Sequence, residues 1–287
     1  EIEGEIGKDA GRLMATVRVW CEVHRPVIHI DVDADADMSL TAAYESWRLE
    51  DEWLTNDERR HSAFSLNAYP GDVLLTKDTV TQDKNAVTFY HRNPDQGRLI
   101  PDLFIKQQGL EDYRDQITDD LKDRTFGGTL TGDGFEPADA TVGTYAERAY
   151  KGWALKSGQP RHTHRLRVVT HVAQSPTMEQ WQHDLDALVA TSARDHDAAL
   201  GKTLDWWYAC WERSWISINP DTPDADDRAW RVGRNYNLFR YQLGCNALGA
   251  YPTKFNGGSF TFDADLVGKS WAGKGFGPDW RQWGGDV

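Results

Sequence analysis

Over roughly the first 173 residues, apolar side chains fall in short runs, often at every second place, with turn residues between them. Residues 13–20 alternate, and residues 26–32 set Val27, Ile28 and Ile30 in a β-branched run, so both stretches predict strands. Further strands are predicted over 39–47, 72–76, 86–91, 125–130, 144–149, 152–155 and 164–172. Pro70-Gly71 and Gly132-Asp133-Gly134 supply turn signals between them. Many short strands at this spacing predict an antiparallel β-sandwich.

Near residue 175 the period changes from two to about 3.6. Thr177 is a candidate N-cap, followed by Trp181, Leu185, Leu188 and Val189 at helical spacing. A second helix is predicted over 204–218, striped by Leu204, Trp207, Trp211, Trp215 and Ile218. Residues 219–224 break it, and a third helix is predicted over 230–248 with Tyr236, Phe239, Leu243 and Ala247 on one face. Residues 249–287 are rich in glycine and aromatics without a long period. The expected division is a sandwich over 1–174 and a helical part over 175–287. A tryptophan stripe needs apolar partners on several sides, more than two or three helices provide. The helices therefore either dock on the sandwich or open a larger helical domain, and the second reading is preferred. The stripe is then expected to be exposed, or covered by the rest of the same polypeptide or by a second chain.

Composition narrows the function classes. Hydrophobic residues at 39% are enough for a core, and the net charge of −13 is too low for a chain of this length to be disordered. That charge excludes a general nucleic-acid binder, which needs clustered Lys and Arg, and gives no support for an anionic membrane surface. No apolar run is long enough to span a bilayer. Cys21, Cys210 and Cys245 are too far apart for a metal motif, and small buried hydrophobes are their default reading. The alternating aspartates over 31–37 lack the glycine and distal glutamate of a calcium loop. No metal and no cofactor is expected, and neither a phosphate loop nor a serine-nucleophile elbow is present. Nine of the 13 tryptophans lie at or after Trp181. An indole suits both deep cores and sugar-ring stacking.

Four segments in order carry a resemblance: 206–216 (WWYACWERSWI), 237–245 (NLFRYQLGC), 250–258 (AYPTKFNGG) and 279–285 (DWRQWGG). Val19-Trp20, residues 25–29, Trp47-Arg48 and residues 89–93 agree with it. The series resembles secreted bacterial glycoside-hydrolase-like proteins related to the family 95 α-L-fucosidases. The resemblance implies a large N-terminal β-sandwich, linker helices and the beginning of an (α/α)6 toroid. It also implies hydrolysis of glycosidic bonds, an extracellular or periplasmic location, and a general acid beyond Val287. Asn256 keeps an asparagine of the fucosidases, but its neighbours differ, so fucose specificity does not carry over.

Glycosidic cleavage needs a carboxylic acid and an opposing base or nucleophile. Asp279, between Pro278 and Trp280, is the candidate carboxylate, with an ion pair to Arg281 as its alternative reading. Asn256, ahead of two glycines, offers an amide that orients a water or a sugar hydroxyl. Lys254, Arg281 and Trp283 are candidate substrate contacts, and so are His91, Arg92 and Asn93 from a sandwich loop. Two other functions stay open: a non-catalytic carbohydrate-binding module, and a polysaccharide lyase of similar architecture.

Overall fold

A computed structural model describes residues 2–6, 13–55, 72–93, 102, 105–119, 122–145, 148–222, 224 and 226–249. Twelve strands are present among them. They are β1 (Ile2–Ile6), β2 (Leu13–Cys21), β3 (Val27–Met38), β4 (Thr41–Ser46), β5 (Glu52–Trp53) and β6 (Leu74–Leu75). Then come β7 (Thr79–Asp83), β8 (Ala86–Arg92), β9 (Arg124–Gly132), β10 (Phe135–Tyr145), β11 (Arg148–Ser157) and β12 (Arg161–Gln174). Three α-helices follow: α1 (Met178–Ser192), α2 (His196–Arg213) and α3 (Arg228–Cys245).

Seven strands form one antiparallel sheet in the order β1-β2-β3-β12-β9-β8-β7, and β10-β11-β4 form a second. The predicted antiparallel sandwich is present. Side chains of period two on the facing sides build its core, with Val87, Leu130, Phe135, Leu155 and Leu166 buried together. Tyr44 of the small sheet stacks on Phe89 of the large one at 3.8 Å between centroids. Burial, with Asp78 beside it, raises the Tyr44 hydroxyl to about 12.

The opposite face of the large sheet carries α1. Thr177 caps this helix as predicted, accepting from the Gln180 amide at 3.2 Å. Trp181 and Leu185, one turn apart, are buried against Val27 and Val169. Layers therefore run small sheet, large sheet, α1.

The described residues fall into two compact units. One holds the seven-stranded and three-stranded sheets and α1, up to His196; the other holds β5, β6, α2 from Asp197 and α3. Three helices occupy the predicted region, with one correction of bounds. The second begins at His196 and ends at Arg213, so Trp215 and Ile218 lie in the connector beyond it. The helix stops there because the backbone of Ile216 is bonded to a side chain of α3 instead of continuing the helical ladder. The predicted 144–149 strand falls partly on the end of β10 and partly on the start of β11. Trp215 is 63% and Tyr208 64% exposed, while Trp207 and Trp211 are half-buried. Among the described residues the stripe is thus partly buried at Trp207 and Trp211 and exposed at Leu204 and Trp215.

Candidate functional site

The face of α3 toward α2 is set by residues three and four apart: Gly233, Asn237, Tyr241 and Gly244. Gly244 admits the Trp207 ring, which would lie 3.0 Å from a Cβ at that position. Gly233 admits the connector after α2, where a Cβ would come within 3.2 Å of the Ile216 carbonyl. Between them, Tyr241 stacks on Trp207 at 5.1 Å, and Trp207 lies 6.3 Å from Trp211. Arg240 donates to the Cys210 carbonyl and lies over the Trp211 ring at 5.8 Å.

Asn237 clamps the connector. Its Nδ2 donates to the Ile216 carbonyl at 2.8 Å, and its Oδ1 accepts from the Ile216 amide at 3.2 Å. Further on, Asp227 caps α3 by accepting from the Ala229 amide at 2.8 Å and holds Asn219 at 2.6 Å. Those bonds, the one from Asn219 first, lower the Asp227 carboxyl below its ordinary value.

The result is a groove of about 390 Å³ bounded by Trp211, residues 216–218, and α3 from Trp230 to Tyr241. Three flat aromatics line it, Trp211, Trp230 and Tyr241. Its polar side chains include the Ser217 and Tyr241 hydroxyls, the Arg234 guanidinium and the Asn237 amide, the last already committed to Ile216. None of the described lining residues is acidic. Chemically this is a stacking platform with a cation at its edge. It holds no acid–base pair.

The titratable residues of the sandwich unit gather elsewhere. Period two on β3 puts Val27, His29 and Asp31 on the α1 side of the sheet, and register sets Trp20 opposite His29. Their rings stack at 4.0 Å. His29 Nε2 bonds Glu22 Oε1 at 2.8 Å, and Arg25 grips both oxygens of Glu22 and reaches Asp195 at 2.8 Å. Asp31 accepts from the Trp20 indole at 2.9 Å and lies 2.9 Å from His196 Nε2. Burial lowers the His29 pKa despite Glu22, while the bond to Glu22 raises that of Arg25. A neutral His29 therefore donates from Nε2, and its Nδ1 lone pair meets no donor. No group of three or more His, Cys, Asp or Glu among the described residues is arranged to hold a metal ion.

Of the residues expected from sequence, three lie in the described part, all in the sandwich unit. His91 Nδ1 is 3.2 Å from Asp78 Oδ1, and Arg92 pairs with Asp123 at 2.7 Å and donates to Thr125. The Asn93 backbone N–H donates to the Arg124 carbonyl at 3.0 Å. His91 and Arg92 thus have structural partners that fix strand ends. Lys254, Asn256, Asp279, Arg281 and Trp283 lie outside the described residues. Sequence reasoning missed Trp230 and Arg234 as a site. The signal available was the Trp-x-x-x-Arg spacing, which puts both on one helix face.

A family model described as "Domain of unknown function (DUF5703)", its N-terminal part, matches residues 2–216. No curated protein matches the chain.

Proposed function

We propose that this chain, which belongs to the DUF5703 family through its N-terminal domain, forms the β-sandwich and leading helices of a secreted glycoside hydrolase whose helical part is an (α/α)6 toroid. The observation that carries the reading is the groove of unit two. Its size suits one or two sugar rings, and its Trp211, Trp230 and Tyr241 offer faces on which the C–H side of a pyranose stacks. In this reading Asp279 and Asn256 serve the chemistry, with Lys254, Arg281 and Trp283 as substrate contacts and His91, Arg92 and Asn93 supporting from the sandwich.

The decisive experiment is Asn256→Ala and Asp279→Ala in the full-length protein, assayed on a panel of aryl glycosides and natural glycans. Loss of turnover by about 100-fold with folding intact is the expected result, equal to roughly 2.7 kcal/mol of barrier. Unchanged turnover in both variants overturns the site assignment. One observation favours a second reading, a non-catalytic carbohydrate-binding module: the described groove has aromatics and no carboxylate. Glycan binding without any turnover by the full-length protein decides for that module.

A further inference from the structure

Within the glycan-binding reading, on which this inference rests, we propose that the groove selects an acidic sugar, a hexuronate whose carboxylate is taken by Arg234. The first ground is charge. Arg234 is the only charged residue among the described groove lining, in a chain of net charge −13.

The second ground is the state of that guanidinium. Three arginines of the sandwich unit are neutralised, Arg25 by Glu22 and Asp195, Arg92 by Asp123 and Arg114 by Asp102. Arg234 instead lies over the Trp230 ring at 5.2 Å and donates only to the neutral Asn235 oxygen, at 3.3 Å from Nε and 3.1 Å from Nη2. No carboxylate pairs with it among the described residues. The contact with the indole restrains the guanidinium, which lowers the entropy lost when it binds an anion.

The third ground is that the other strong polar reader is spent. The Asn237 amide gives both its donor and its acceptor to Ile216. Hydroxyl reading by a side-chain amide, the usual device for neutral sugars, is therefore not on offer from Asn237. What remains is an aromatic face, with the Ser217 and Tyr241 hydroxyls, beside the Arg234 cation. A pyranuronate presents the matching pair, a C–H face and a carboxylate at C5, and a guanidinium–carboxylate fork is among the stronger contacts available.

The test uses the whole chain and two probes, tri-galacturonate and its fully methyl-esterified form, followed by tryptophan fluorescence and calorimetry. The acid is expected to bind at least about tenfold tighter than the ester, with the ratio shrinking as salt is added. Arg234→Gln is expected to bring that ratio close to one, and Arg234→Lys to restore part of it. Arg234 is exposed, so circular dichroism of the variants should match the parent. Equal affinity for acid and ester overturns the acidic-sugar inference and leaves the glycan reading standing. If neither probe binds, nor any neutral oligosaccharide of a wider panel, the glycan reading itself falls and takes this inference with it.

Discussion

Removing the Glu22 carboxylate tests whether the polar cluster on the α1 side of β3 holds the sandwich unit together. Glu22 has a side chain only 3% exposed and serves Arg25 and His29 at once. Breaking a buried pair by deleting one partner typically costs about 3–5 kcal/mol, because the other charge is left without compensation. Arg25 keeps Asp195, and His29 is neutral, so Glu22→Ala belongs at the lower end, about 3 kcal/mol. Glu22→Gln keeps the shape and one oxygen to accept from His29 Nε2 and Arg25, but its NH2 cannot accept the second bond from Arg25 and the charge is lost, about 1–2 kcal/mol. Guanidinium denaturation at pH 7 followed by far-ultraviolet dichroism reads both values from the midpoint shift at constant slope. Two outcomes refute the reasoning: alanine within 0.5 kcal/mol of the parent, or alanine and glutamine equally costly.

Acid should weaken the same cluster through His29, whose folded pKa is depressed by burial. The unfolded chain then takes up a proton near pH 6.5 that the folded chain does not, so stability is full above that pH and falls as pH drops through the folded value. The difference in stability between parent and His29→Gln should shrink from pH 7 to pH 5, and a constant difference would count against the mechanism. Trp181→Ala should cost about 3–5 kcal/mol for a fully buried indole. Trp181→Phe should cost much less by the same denaturation assay, since the indole Nε1 has no partner to lose. Gly244→Leu should lower stability by about 1–3 kcal/mol, because the new side chain meets the Trp207 ring; a neutral thermal shift would show that the helices are not so close.

Periodicity carried most of the fold into view. β2, β8, β9 and β12 and the capped α1 stand within a few residues of the predicted bounds, because each buries one face and so alternates at its own period. β10 was missed since its residues are mostly exposed, and β7 since Val80 is the one apolar residue among its five. The end of α2 was misjudged because Asn237, far along the chain, competes for the backbone of Ile216. The groove was legible only as a surplus of tryptophan. Which of those rings turn outward depends on two glycines of α3 that let α2 and its connector approach, and no local pattern announces that. His91 looked chemical because a histidine beside an arginine at a strand end could face a ligand; its pairing with Asp78 is a tertiary fact.

The place of β12 in the large sheet governs the order in which the protein can assemble. This strand is the last of the twelve to be synthesised, yet it lies in the interior, between β3 and β9. Until residues 161–174 leave the ribosome, β1-β2-β3 and β9-β8-β7 are two separate half-sheets, each with a bare hydrogen-bonding edge. The closing strand must bridge contacts more than 120 residues apart in sequence, such as His164 to the carbonyl of Met38 at a separation of 126. Such long closures are slow, and the waiting edges are templates for pairing with another chain. A translation pause or a chaperone acting before β12 appears would therefore decide yield without touching the stability of the finished fold.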